Sequence, residues 1–537
     1  MTMAFSTLAL ILFVLASCRF LWTTVLYPVF FSPLSRIPAA HPLARVTSLW
    51  ITYIRWSRRE IRTIHAAHGR LGPIILLGPR EISVNCVKGG IQTVYSGGFE
   101  KGDWYDIFAN FDNVRNMFSM PASKAHAARK RMLSNIYSKS FLQASPTLKA
   151  ATISILHDRF LPRMTELANQ GVPFDVYSEL SAVTMDFVTG YQFGLVSSSN
   201  LIQNLEFRKA FLGWYTSRIG FNFWPQELPR LTAFLERLGF KMVPDHVAPA
   251  NVNIEQWCLS MCDAAMKYMR QVGASSVEDV PSAERINFPM VFSQMITAMS
   301  KNKEFDGMDA EQRRLEVASE MLDHLAAGFD TSGITLCYAV HELSQRPDIQ
   351  TALRKELLTL DPRISLARNI AEAIDIPSAK KLDALPLLDA VLQETLRLRS
   401  AIPGPEPRIT PPGGCNLGSE GEYGRIPGGI RISAQAHSLH RNPEVFSKPD
   451  SWIPSRWLDA SEEQLKEMRR WFWAFGSGGR MCVGSNLAIY QMKYIIAAIY
   501  TNFTTTIVDD EGIEQMDIYT APPVGGKLVI RLDRMQD

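Results

Sequence analysis

Cys482 stands in the decapeptide Phe475-Gly476-Ser477-Gly478-Gly479-Arg480-Met481-Cys482-Val483-Gly484. Three glycines precede the sulfur, a cation lies two residues before it, and another glycine lies two residues after it. A polar start and a helix-like run follow, from Ser485 to Lys493. This order puts a thiol on a tight loop at a helix N-terminus, where free N–H groups and the helix dipole favour negative charge. A thiol in that position is poised to ionise. Zinc would need more Cys or His at short spacing, and none lies near Cys482. A lone thiolate on a rigid loop suits the axial position of a haem iron. The plain alternative is that of most single cysteines, a small buried hydrophobe.

Two further constellations carry chemistry. The run Leu325-Ala326-Ala327-Gly328-Phe329-Asp330-Thr331-Ser332 falls in the middle of a helix predicted from about Glu311 to Ser344. Small residues there let a flat ligand approach the backbone, and Gly328 and Thr331 share a face. The Asp-Thr pair beside glycine predicts a kink or widened turn. Its bland counterpart is a solvated acid beside a back-bonded threonine. Glu394-Thr395-Leu396-Arg397 sets a carboxylate and a guanidinium at i, i+3 on a helix. On a surface the pair would contribute little. Leu392, Leu396 and Leu398 suggest burial, where the pair needs a third partner.

The pattern Phe-Gly-x-Gly-x-Arg-x-Cys-x-Gly resembles the haem-binding signature of the cytochrome P-450 family, position for position. The Ala-Gly-x-Asp-Thr run is similar to that family's oxygen-activating segment, which implies a proton-relay role for Asp330 and Thr331. Glu-x-x-Arg matches a structural motif of the family. Its usual third member matches Arg456 in Pro454-Ser455-Arg456-Trp457, so Glu394, Arg397 and Arg456 are expected to support the haem loop. The resemblance implies haem b, with Cys482 as the axial ligand of the iron and Phe475 and Gly476 beside it. Haem carries two carboxylates that cations must meet. By family position the candidates are Arg480, Arg408 in Pro405-Glu406-Pro407-Arg408, and the segment His126-Ala127-Ala128-Arg129-Lys130-Arg131. There His126 and Lys130 replace the family's usual Trp and Arg, and lysine lacks the bidentate fork. Arg129 or Arg131 could serve instead, and the same basic cluster could dock an acidic electron donor.

The elements that must hold these residues are mostly helical. Patterning is helical from about Ala122 to Arg397 and again from Leu487 to Tyr500. Gly72 to Val84 reads as a β-hairpin, Pro403 to Pro454 as loops and short strands, and Thr504–Val508 and Leu528–Leu532 as strands. The expected fold class is mainly α with small β-sheets, preceded by one transmembrane helix. Domain boundaries are expected at 1–31 for a membrane anchor, 32–48 for a proline-rich hinge and 49–537 for the catalytic domain. From Met3 to Phe31 the only charge is Arg19. A signal peptide is the alternative, but no basic residue precedes the apolar run and no clear cleavage site ends it. The run is long enough to span if Arg19 snorkels. Arg36, Arg45, Arg55, Arg58 and Arg59 follow it, which puts the C-terminal part in the cytosol.

Net charge is +3 among 537 residues, too small to suggest nucleic acid as a partner. The seven cysteines are scattered and odd in number, which fits a reducing compartment. Cys258 and Cys262, at i, i+4, read as helix-face residues rather than a metal pair. The resemblance covers nearly the whole chain and points to a fungal, microsomal member on the endoplasmic reticulum membrane. It implies a monooxygenase that uses O2 and takes electrons from NADPH through a separate reductase, since no flavin or nicotinamide motif is visible. The substrate would be a hydrophobic small molecule, and fungal secondary metabolism of polyketides or terpenoids is the leading context. Sterol, fatty-acid and xenobiotic oxidation are its alternatives. By family position, pocket residues fall within Gly98–Met120, Phe207–Asp245, Asp323–Thr331, Ala401–Pro407 and Tyr519–Val524. Three rivals stand beside this reading: a haem-thiolate isomerase or dehydratase, a non-catalytic haem protein, and a peroxide-driven enzyme.

Overall fold

A computed structural model describes residues 2–366 and 374–535. A helix Thr2–Leu21 continues into a wide-turn helix Trp22–Phe31. Pro28 lies inside that second piece and does not end it. Its ring would clash with the carbonyl four residues back in an α-turn, and the wider turn relieves this. Leu10–Phe31 is long and apolar enough to cross a membrane and buries nothing against the rest of the chain. Two short 3-10 turns follow, Pro33–Arg36 and Pro42–Arg45, each started by a proline that presets φ. They bury Leu34, Ile37 and Ala44. Ala40 N–H donates to the Leu76 carbonyl at 2.9 Å, and Leu76 N–H to Pro38 at 2.8 Å. The segment therefore lies against the first strand.

The molecule is built around the helix Ala310–Ser344, capped by Asp309, whose carboxylate accepts from Gln312 N–H. It packs along Val176–Phe193, a helix buried over nearly its whole circumference. Such a helix tolerates hydroxyls only if they are satisfied. Ser181, Thr184 and Thr189 each donate to the carbonyl four residues back. The expected hairpin is there, Ile74–Gly78 against Glu81–Val84. It extends into a four-stranded sheet through Arg431–Ser433, parallel to Glu81–Val84, and then Arg408–Ile409. Phe503–Asp509 and Val529–Arg534 pair antiparallel, with Phe174–Asp175 added at the edge. A small hairpin joins Cys415–Leu417 to Tyr423–Ile426. Cys258 and Cys262 are buried core residues of Val247–Val272, as expected for a helix face.

Candidate functional site

The Cys482 loop is closed by its own backbone. Cys482 N–H donates to the Phe475 carbonyl at 3.0 Å. Gly476 and Gly478 both take positive φ (+68° and +70°), and a Cβ on Gly478 would lie 2.2 Å from the Tyr95 carbonyl oxygen. Glycine is required there by both the backbone and the packing. The helix Ser485–Asn502 begins straight after, and no side chain caps its N-terminus. Phe475 is half-buried against the main core. Burial pushes the Cys482 thiol up, while the Gly484 N–H and the Lys130 ammonium pull it down. A coordinated metal ion deprotonates a thiol outright.

A chain of hydrogen bonds ties this loop to the expected brace. Glu394 and Arg397 are fully buried on the helix Pro386–Leu398 and pair bidentately, at 2.8 and 2.9 Å. Arg456 joins the same carboxylate at 3.0 Å, as do Trp457 Nε1 and Ile453 N–H. Arg397 also donates to the carbonyls of His440, Pro449 and Ser451. His440 Nδ1 meets the Arg397 carbonyl at 2.8 Å, and its Nε2 accepts from Trp473 N–H at 2.6 Å. This arrangement assigns the proton to Nδ1. Burial and Arg397 lower the His440 pKa to about 3, so the ring is neutral. Trp473 then donates from Nε1 to Ser477 Oγ inside the cysteine loop. His440 thus links the brace to the cysteine loop, a connection that sequence reasoning did not assign to it.

On the central helix, nearly every residue from Val317 to Leu343 is buried. The exceptions are Asp323, Ala327 and Thr331, four apart on one face, with Ala326 and Gly328 beside them. Deep in the protein this face is open. The Cys482 sulfur is likewise open although the loop lies within the fold. The expected widened turn at Asp330 is absent: the helix is α throughout. Thr331 Oγ1 instead donates to the Ala327 carbonyl at 2.8 Å. Gly328 does not leave room for a ligand. A Cβ there would lie 2.7 Å from Val188 Cγ2, so the glycine allows the neighbouring helix to approach. Ala327 is the small residue on the open face. Asp330 is buried and accepts from the Tyr215 hydroxyl at 3.1 Å. Burial raises its pKa to about 6, opposed by hydrogen bonds from Tyr215 and Thr520.

Cations converge beside the open face. Arg408 is buried and donates to Tyr105 Oη at 2.7 Å and to Glu406 at 3.4 Å. Arg480 donates to the carbonyls of Met120 and Pro121, and its buried Nε has no partner among the described residues. Burial and the nearby Arg408 lower the Arg480 pKa to about 10. Lys130 donates to the Gly479 and Met481 carbonyls and so holds the cysteine loop. Burial, with Arg480, Lys101, Lys130 and Arg408, pushes His126 down to about 3. It is a neutral donor there, not a cation. Arg129 is committed to Glu316 and Glu320, and Arg131 is on the surface, so neither takes over from His126 and Lys130. Lys101, a buried lysine with no sequence motif to announce it, completes the cluster. Nor did any motif mark Glu320 and His324, which lie together with Asp323 of the open face.

These features pass a physical test for haem. The group is flat, carries two carboxylates and has a metal that seeks a thiolate. The structure offers an accessible sulfur, an open helix face, surplus positive charge and an orphaned buried guanidinium N–H. Arg480, Arg408 and His126 would meet the carboxylates.

Comparison with known proteins agrees with this geometry. The Cytochrome P-450 family profile matches residues 91–529. The cytochrome P-450 monooxygenase avaI of Aspergillus versicolor is 26% identical, over 79% of this chain and 93% of its own length. FGM1 of Gibberella zeae, also named a cytochrome P-450 monooxygenase, is 27% identical over 91% of each chain. The monooxygenase macH of Penicillium terrestre is 26% identical over 95% of this chain and 94% of its own. The chain belongs to the cytochrome P-450 family and is a cytochrome P-450 monooxygenase.

Proposed function

We propose that this chain inserts one oxygen atom of O2 into a hydrophobic small molecule of fungal secondary metabolism, a polyketide or terpenoid skeleton. Hydroxylation, epoxidation or a sequence of such steps would serve. The observation that carries the reading is the pair of accessible surfaces inside the core, the Cys482 sulfur and the Asp323–Ala327–Thr331 face. Bound there, haem b supplies dioxygen activation, favoured by thiolate donation. The protein's own part is positioning and proton control. Cys482 would supply the sulfur that holds the haem iron, and the Glu394–Arg397–Arg456 brace holds its loop through His440 and Trp473. Burial brings the Asp330 pKa up to about 6, so that it takes up and gives back a proton just below neutrality, and the Thr331 hydroxyl, on the open face, passes protons into the pocket. Gln491 steadies this turn, donating to Ser332 Oγ at 2.7 Å and to the Gly328 carbonyl at 3.2 Å.

Residues 1–31 act as the anchor, 32–48 as the connection, and 49–537 as the catalytic domain on the cytosolic face of the endoplasmic reticulum membrane. Exposed apolar side chains support a membrane-facing surface beyond the anchor. Leu49, Tyr53 and Trp56 lie on one helix, and Leu231, Phe234, Leu238 and Phe240 on and after another. Arg55 ties the first helix to Glu227, next to the second. Electrons come from an NADPH-dependent reductase.

The test is reconstitution of the full-length haem protein with such a reductase and NADPH. The substrate source is an extract of a strain lacking this gene, with isotopically heavy dioxygen in the reaction. One heavy oxygen atom should enter a product, dependent on NADPH. No NADPH use above the reductase background would mean a non-catalytic haem protein, and product from peroxide alone would favour a peroxide-driven enzyme.

A further inference from the structure

Lys101 sits in an extended segment in which Phe99 and Lys101 point inward and Glu100 outward, the alternation of a strand. Glu100 bridges to Ile409, whose N–H donates to the Glu100 carbonyl at 2.8 Å. The sheet edge thereby forces the lysine side chain into the protein. Its ammonium donates to the Phe118 carbonyl at 2.6 Å and lies 3.7 and 3.9 Å from the ring centres of Phe118 and Tyr105. Two of its three N–H donors have no protein acceptor among the described residues, and it makes no ion pair there. Burial, with Arg408 and Arg480, lowers its pKa well below the usual lysine value, so a bound anion is what would hold it charged. The Phe118 N–H serves the Asp323 carboxylate. Lys101 and Asp323 thus flank one peptide unit, at the end of the open face.

The surroundings describe a ligand. Phe108, Phe118, Tyr105 and Tyr519 form a packed aromatic wall, with ring centres 5.0–6.3 Å apart. Four cations stand near: Lys101, Lys130, Arg408 and Arg480. Glu406 offsets Arg408, and the two haem carboxylates would offset two more. The remaining acid nearby, Asp323, is pushed by burial up to about 7 and makes no ion pair with Lys101 among the described residues. Asp323 and Thr331 are eight residues apart on the same helix, about 12 Å along its axis.

We propose that Lys101 anchors an anionic oxygen of the substrate, so that the pocket selects an apolar, ring-bearing carboxylic acid whose far end reaches Thr331. This rests on the haem-pocket reading above. The aromatic wall takes the rings, and the ammonium fixes which end enters last.

The test is equilibrium dialysis of the full-length haem protein with para-phenylbenzoic acid and with its neutral carboxamide. Haem content and the absorbance band of the reduced carbonyl complex are recorded on every sample. The wild type should bind the acid about 10- to 100-fold more tightly than the amide, the range of a hydrogen bond to a charged group. Lys101→Met should abolish that preference, hold the amide affinity and keep the haem, and Lys101→Arg should retain most of the preference. Methionine keeps the apolar stem at similar volume, and the haem record on every sample separates a binding loss from a folding loss. The proposal is overturned if the wild type does not prefer the acid, including by binding neither compound. It is also overturned if Lys101→Met binds the acid as tightly, or loses haem with its preference unchanged, which would make Lys101 a haem-carboxylate cation. Absence of the carbonyl band from the wild type would instead overturn the haem-pocket reading.

Discussion

Replacing Glu394 with glutamine removes one charge at nearly constant volume from a site with no solvent. The carboxylate accepts from Arg397 Nε and Nη2, Arg456 Nε, Trp457 Nε1 and Ile453 N–H. The amide keeps one acceptor oxygen, and its NH2 group, even where it loses fewest partners, faces Arg397 Nε and Trp457 Nε1. Arg397 and Arg456, both buried, are then left without a counter-charge. Breaking a buried ion pair costs about 3–5 kcal/mol, because an uncompensated charge stays inside. Domain stability totals about 5–15 kcal/mol, so the loss is a large fraction of it. The assay is urea unfolding followed by tryptophan fluorescence and by haem absorbance. Both midpoints should fall, and haem should leave with or before the fold, because His440 and Trp473 carry the brace to the cysteine loop. A loss below about 1 kcal/mol, the scale of an exposed pair, would refute the reasoning that this brace is a buried charge network.

Tyr215→Phe removes a hydrogen bond that stabilises the ionised form of Asp330. The Asp330 pKa should therefore rise from about 6, by about 1–2 units if the bond contributes about 1.5–3 kcal/mol. Infrared titration of the protonated carboxyl, with Asp330→Asn to assign the band, reads the shift; a fall in pKa would reverse the sign of the argument. Thr331→Ala should leave haem binding intact and divert NADPH from product to peroxide, measured as the ratio of product to NADPH, and an unchanged ratio would remove Thr331 from proton delivery. Gly478→Ala puts a Cβ against the Tyr95 carbonyl at a positive φ. Its haem content should fall well below that of Gly479→Ala, where nothing lies within 4 Å.

What was legible in the sequence was local. The cysteine loop, the Glu394–Arg397 pair and the two hairpin strands each lie within a few residues, so spacing and backbone preference reveal them. What escaped notice is assembled across the chain. His440 links Arg397 to Trp473 only because the fold brings three segments together. Lys101 is buried by its bridge to Ile409, some three hundred residues away, whereas a lysine read alone belongs on the surface. The local inferences that missed did so for the same reason. Gly328 looked like room for a ligand until Val188 occupied that side. The turn at Asp330 stays α-helical, with the Thr331 hydroxyl bonded to the Ala327 carbonyl. Arg129, equal to Lys130 in sequence, is claimed by Glu316 and Glu320.

The central claim is that Cys482 is the haem ligand of a thiolate-bound site. Its most direct test is the absorbance of the reduced carbonyl complex of full-length wild type and Cys482→Ala, purified alike. The account predicts the family's thiolate band in the wild type and its loss in the variant. The same band in Cys482→Ala would contradict it.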